Sequence, residues 1–501
     1  MGAEIPTHAI PRSRLTQSVD AHGSAASIPG LCGTPSRRRP IRAMLVALSL
    51  ILGASVSPTA AAAQDLVVRG GWLFDATTDE VIPNPGIVIS GGRIIEVGPA
   101  TSGFEDAELQ ILNRGEDEYV LPGIIDLHAH YNVNLLGERR VDEVEVNTLV
   151  YLANGVTTTF PAGEYNPERL LLAREEIDAV IRPGPRILPS GPYFGRSRPG
   201  WESMTDEEIH AEVADWVARG VRGFKAKGAD PQTLRALIEA AHRHGVTVTG
   251  HLDSGFRGTI NSVDAIRMGI DRVEHILGGV ALDPERPAYP VWVQVDTASA
   301  EFRETVRMFL DRGVRFNATI TAPVYFTELK EGFDYWVDER EFFTPYVQQM
   351  VAEREPRERN DLMSELYWAM RRTTKAFYDA GGGDLITLGT DNPSRGEFLP
   401  GFSAHRELQA FVLAGIPEAS ALRIATINGA RAIGMGDLLG TIEPGKLADL
   451  FVVRGNPLEE ITNTRNVQHV IRGGEVYDPG ELLHRARGRI GPTGPDDREG
   501  W

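Results

Sequence analysis

Between residues 124 and 392 the chain alternates short, β-branched apolar runs with helical ones, and this alternation constrains the fold more than any other feature. Strand-like runs occupy residues 124–131, 156–162, 186–193, 222–227, 247–253, 272–276, 315–320 and 386–392. Helical periodicity fills 167–181, 205–219, 231–244 and 262–268 between them. Gly155, Gly245 and Gly313 stand just ahead of three of the runs, where a helix cap hands over to a strand. Eight strands alternating with helices predict an α/β chain of the (β/α)8 TIM-like barrel type. Catalytic residues are then expected at the C-terminal ends of the strands. The long aromatic stretch 278–384 reads as helices plus a lid inserted around the seventh strand.

The two ends of the chain read differently from its middle. Leu66–Arg69, Trp72–Phe74, Gly86–Ser90 and Arg93–Val97 are β-rich and punctuated by Gly70-Gly71 and Gly91-Gly92. Similar runs return at 448–453, 467–471 and 475–477, with Gly473-Gly474 between the last two. Chain termini often lie close together, so the two sets are expected to close one small flanking β-sandwich domain. The expected division is a leader, 1–63; sandwich segments, 64–120 and 437–483; the barrel, 121–436; and a tail, 484–501.

The leader carries six arginines and two acids, an apolar run at 43–56, and then a run of small residues to Ala63. A basic segment, a short apolar segment and a small-residue cleavage site form the layout of an export signal, here about 37–63. Export to the periplasm or the medium is therefore expected, by either the general or the twin-arginine route. The apolar run is too short to span a bilayer, and the mature chain has no stretch that could. The only cysteine, Cys32, falls in the leader, which excludes a disulfide framework and a Cys-based zinc site from the mature chain. With 51 Lys and Arg against 69 Asp and Glu, a net −18, the chain is not suited to bind nucleic acid.

Polar residues fall at the ends of the predicted strands. His128 and His130 flank Ala129, and residues two apart on a strand share a face, so both imidazoles point the same way. A convergent imidazole pair suits zinc or a related divalent ion. His251, His275 and Asp391 end three other strands, and Lys225 lies within a fourth. Lys227 has the same parity as Lys225 and could take its place. Tyr131, Tyr193 and Tyr325 sit just past strands one, three and seven, where they could line a substrate pocket. His242 and His244 read as helix-end residues, and His405 as structural.

These residues stand in motifs that resemble those of the amidohydrolase superfamily. Leu121-Pro122-Gly123-Ile124-Ile125-Asp126-Leu127-His128-Ala129-His130 resembles its first-strand motif, and Leu388-Gly389-Thr390-Asp391 its eighth. Residues 440–450 resemble the segment that returns the chain to the sandwich. Gly223-Phe224-Lys225, Val273-Glu274-His275 and His405-Arg406-Glu407-Leu408 resemble the imidazolonepropionase-like and Xaa-Pro-dipeptidase-like branch. The resemblance implies two divalent metal ions, most simply Zn2+. His128, His130 and Asp391 would hold one, His251 and His275 the other, and a carboxylated Lys225 would bridge them. It also implies a metal-activated hydroxide, with Asp391 as general base and then acid. Mononuclear deaminases of the superfamily usually place a proton-shuttling Glu three residues after the fifth-strand His; here that position is Ser254. The expected activity is hydrolysis of a C–N amide bond in a small molecule or short peptide, such as an Xaa-Pro dipeptide or an N-acyl amino acid. A mononuclear deaminase or cyclic amidase is the first rival. A non-catalytic binding relative is the second, and the intact ligand set counts against it. A homo-oligomer is left open.

Overall fold

The computed structural model describes residues 66–100, 110–135, 139–200, 204–327, 339–353, 360–393 and 398–500. The leader, with Cys32, lies outside them.

The central strands are parallel and lie in two sheets. Arg186–Ile187, Val156–Pro161 and Ile124–Ala129 form the first. Ser190–Phe194, Gly223–Lys227, Thr247–His251, Arg272–Glu274, Arg315–Asn317 and Ile386–Thr387 form the second, in chain order. Every residue of Ile124–Ala129 and Val156–Pro161 is buried, as expected of parallel strands covered on both faces. The predicted strand 186–193 is split in two. Pro189, which has no N–H to offer a ladder, stands at the break. Its first half pairs with Val156–Pro161 and its second with Gly223–Lys227. Main-chain bonds from Leu127 N–H to the Leu388 carbonyl (3.0 Å) and from Asp391 N–H to the His128 carbonyl (2.9 Å) join the first strand to the segment after the last.

Local chemistry sets the helix boundaries. Thr205 and Glu208 cap Asp206–Ala218 reciprocally, each side chain taking the other's backbone N–H. Asp230 caps Pro231–Arg243, with proline at the first turn. Ala300–Arg312 ends on Gly313 at φ +64°, a conformation glycine adopts without a Cβ clash, and the chain turns there into Arg315–Asn317. The aromatic stretch is largely helical: Ala288–Trp292 and Ala300–Arg312 precede the Arg315 strand, and Pro345–Glu353 and Asp361–Phe377 follow it. No helix among the described residues is long and apolar enough to cross a membrane.

The chain ends build two further sheets. One runs Glu475–Tyr477, Val467–Arg472, Leu450–Arg454, Glu118–Pro122, Trp72–Leu73, Ile82–Pro83, so strands from both ends share it. Leu450–Arg454 lies antiparallel to Glu118–Pro122, with Leu450 opposite Pro122. The other runs Arg93–Pro99, Pro85–Ser90, Leu66–Arg69, Gln110–Asn113. Leu66, Val68, Ile87 and Ile89 of this sheet bury against Val120, Leu450 and Val452 of the first in one cluster. Each such side chain contributes roughly 1.5–3 kcal/mol by leaving water.

Candidate metal centre

His128 lies near the C-terminal end of the Ile124–Ala129 strand, with His130 just past it; both are buried. His251 ends Thr247–His251, and His275 follows Arg272–Glu274. Ring centroids are 5.2 Å apart for His128 and His130, 5.0 Å for His128 and His275, and 4.3 Å for His251 and His275. Asp391 Oδ1 lies 2.9 Å from His130 Nε2 and 3.4 Å from His128 Nε2. His128, His275 and Asp391 each offer one ligand atom, and these atoms all lie within 4.8 Å of one another.

This donor set fits a divalent ion. The His275 ring is tied at Nδ1 to Thr319 Oγ1 (2.7 Å), while its buried Nε2 has no hydrogen-bond partner among the described residues. An Nδ1–H bonded in this way leaves the Nε2 lone pair available to a cation. Burial first, and neighbouring cationic and imidazole groups second, hold His128, His251 and His275 well below the ordinary imidazole range. They are therefore neutral, the form that ligates. Burial alone would raise the Asp391 carboxyl, but the adjacent His128 ring and hydrogen bonds from His128 and His130 outweigh it and hold it well below the usual range. Asp391 is therefore an anionic acceptor.

Two motifs far apart in sequence lock each other in place. Asp126 Oδ1 accepts the N–H groups of His128 (2.9 Å) and Thr390 (3.2 Å), and Oδ2 accepts the Thr390 hydroxyl (2.8 Å). Burial nevertheless raises Asp126 to about 6. Gly389 must be glycine, because a Cβ there would stand 2.6 Å from His128 Cβ. Three residues at the centre adopt left-handed backbone: His275 (φ +69°), Asp391 (φ +54°) and the β-branched Thr319 (φ +44°). Such conformations cost on the order of 1–3 kcal/mol each and persist where surrounding contacts over-determine them.

Lys225 is buried beside the histidines, its Nζ against Glu274 Oε2. Glu274 Oε1 takes the Thr249 hydroxyl (2.7 Å) and lies 3.5 Å from His128 Nδ1. Sequence reasoning missed Glu274. The available signal was an acid inside a short buried strand, which is costly unless paired. The two candidate lysines are separated by the geometry: Lys225 is inside, whereas Lys227 lines a cavity, its Nζ 5.6 Å from the Tyr193 ring centroid.

That cavity, of about 190 Å³, opens over His130, His251, His275 and Asp391. Tyr193, Lys227 and Tyr289 contribute polar groups to its lining, and Met363, Leu366 and Met370 of the helix Asp361–Phe377 contribute apolar ones. Tyr289, also missed as a site residue, brings its hydroxyl 3.3 Å from His251 Nε2. Tyr131 corrects the expectation for that residue. It is one step out of phase with His128 and His130, buried against Tyr151, with its hydroxyl 2.8 Å from Thr159 Oγ1, and it is not among the residues lining the cavity. Tyr325 falls in the turn Ala322–Phe326, and its side chain is outside the described residues. His405 is buried with Nδ1 3.0 Å from Thr464 Oγ1, and the exposed His242 meets Asp271 at 2.9 Å.

Comparison with known proteins places these features in a family. A family model described as "Amidohydrolase family" matches residues 119–477. The chain is similar to an adenine deaminase of Paracoccus denitrificans, 22% identical over 434 residues, covering 84% of this chain and 58% of the relative. Over 117 residues, 20% of this chain and 26% of the relative, it is 42% identical to a 5-methylthioadenosine/S-adenosylhomocysteine deaminase of Teredinibacter turnerae. The chain thus spans well under two thirds of the length of these curated relatives. In fold it is similar to a crystal structure of an Xaa-Pro dipeptidase with bound methionine (TM-score 0.63, 22% identity, 83% of this chain and 100% of that one). It is similar in the same way to molinate hydrolase (TM-score 0.63, 18% identity, 87% and 99%).

Proposed function

The chain belongs to the amidohydrolase family, and from that premise we propose that it is a metal-dependent hydrolase of a C–N amide bond in a small molecule or short peptide. The observation that carries the reading is the convergence of His128, His275 and Asp391 within 4.8 Å, with His275 and Asp391 lining a cavity. His128, His130 and Asp391 would hold one ion, and His251 and His275 a second. Lys225, carboxylated on Nζ, would lie between them. Burial pushes the Lys225 ammonium well down, favouring the neutral amine that forms a carbamate. Imidazole and carboxylate donors suit Zn2+. A bound ion there supplies water of lowered pKa and a Lewis acid for a carbonyl.

The chain's own residues supply the rest. Asp391, ionised and partly open to the cavity, takes a proton from the nucleophile and returns it to the leaving nitrogen. The Tyr289 hydroxyl faces the same point and orients the carbonyl. Lys227 is the cation that meets a substrate carboxylate, and the methionine and leucine side chains of Asp361–Phe377 cover an apolar portion. An Xaa-Pro dipeptide or an N-acyl amino acid has this combination. A second reading, deamination of a purine-like ring, is favoured by the adenine deaminase relatives; Ser254, where a shuttling Glu is usual, argues against it. A panel of dipeptides, N-acyl amino acids and adenine, assayed with zinc-loaded protein, separates the readings. Free amino acid released from the first two supports the amide hydrolase, and ammonia from adenine alone overturns it.

Two smaller results are expected. Lys227→Gln raises KM for carboxylate-bearing substrates about 10–100-fold, the loss of one charge-assisted hydrogen bond. An unchanged KM would remove Lys227 from the pocket chemistry. Export is proposed from the leader, and N-terminal sequencing of the secreted or periplasmic form is expected to start near Gln64; a start at Met1 in that fraction would contradict cleavage. For the fold, we read the two parallel sheets as one (β/α)8 barrel, supported by the Leu127–Leu388 and His128–Asp391 bonds. The end sheets, 64–120 and 437–483, read as a flanking β-sandwich, supported by their shared cluster.

A further inference from the structure

The segment His405-Arg406-Glu407-Leu408 carries no metal-facing group, yet it is buried throughout at the start of the helix Phe402–Leu413. Glu407 Oε1 accepts the Ile320 N–H (2.6 Å) and Oε2 the Thr321 N–H (2.9 Å). These two donors immediately follow Thr319, and the Thr319 hydroxyl holds His275 Nδ1 at 2.7 Å. Thr319 is β-branched and left-handed, a conformation it does not hold by preference. On its C-terminal side the turn is held by the two bonds to Glu407 and by the Ala322 N–H on the Thr319 carbonyl (3.0 Å), and of these the Glu407 bonds alone tie it to another element. The neighbouring Arg406 pairs with the buried Glu339, and Glu339 accepts the Leu399 N–H (2.9 Å), so the helix start that presents Glu407 is itself clamped.

We propose that Glu407 is a positioning residue for His275. By gripping the Ile320 and Thr321 N–H groups, it holds the turn that aims the Thr319 hydroxyl, and the hydroxyl fixes the His275 ring with Nε2 toward the cavity. This rests on the metal-site reading above and assigns it a lever on a helix outside the site. Burial raises Glu407 to about 7, and its two backbone N–H bonds oppose that rise.

The test is zinc retention by purified, zinc-loaded protein in competition with a chelator, with melting of the metal-free forms followed in parallel. Thr319→Val and Glu407→Ala are each expected to give up zinc about 10–100-fold more readily, the usual scale for groups that orient a ligand. The double variant is expected to be no worse than the poorer single one, because both act through one hydroxyl. Thr319→Ser, which keeps the hydroxyl, is expected to retain zinc like the parent. Additive losses, or a folded Glu407→Ala protein that holds zinc as tightly as the parent, would overturn the proposal. If Glu407→Ala does not fold, the isosteric Glu407→Gln, which gives up one of the two acceptors, decides by the same readout. A parent protein that takes up no zinc overturns the metal reading itself, and this proposal with it.

Discussion

Asp391→Asn is expected to lower kcat by about 10²–10⁴-fold, the range over which positioned acid–base groups act. The substitution isolates the proton. Asn keeps the shape and one oxygen toward His128 and His130, 3.4 and 2.9 Å away, and it tolerates the left-handed backbone at φ +54° as Asp does. What it cannot do is accept a proton from the nucleophile and return it. Steady-state rates with metal content measured on the same samples check this. Full activity in Asp391→Asn would sink the proposed base, and loss of metal in parallel with rate would move its role from proton transfer to ligation. The sign of the pH effect follows from the same group. Because the Asp391 pKa is held down in the folded protein, its stabilising contribution is present at neutral pH and is lost as acid protonates it.

Lys225→Ala is expected to be the most damaging single change to the folded state. It leaves one oxygen of the fully buried Glu274 carboxyl without the amine it packs against, and a buried polar group left unsatisfied costs about 1–3 kcal/mol. It also removes the proposed bridge, so metal content is expected to fall and activity with it. Two results follow that a purely structural lysine would not give. Lys225→Ala with Glu274→Gln recovers stability without recovering metal. Carbon-13 bicarbonate yields a carbamate resonance in the parent and none in Lys225→Ala. Full metal content in Lys225→Ala, or no carbamate signal in the metal-loaded parent, would remove the bridge from the mechanism.

Much of the site could be read before the structure because its residues obey one rule. Side chains that converge must end different parallel strands, and a two-residue parity keeps His128 and His130 together. The same parity, applied one residue further, would have set Tyr131 aside, since it is out of phase with both. What stayed hidden depended on contacts between elements. Glu274 looks like an awkward acid until Lys225 and Thr249 are beside it. Glu407 has no visible purpose until the turn after Asn317 is folded against it. The break at Pro189 was legible in principle from its missing N–H. That the two halves pair with different strands was not.

The pairing of Leu450–Arg454 with Glu118–Pro122 has a consequence in time. Pro122 is followed at once by Gly123 and the strand that carries His128, so the root of the metal strand is secured by a partner that begins, by 450 − 122, 328 residues later. During synthesis, at about 5–20 residues per second, that edge waits tens of seconds for its neighbour. Chains released short of residue 450 lack that neighbour, whatever the quality of their barrel segments.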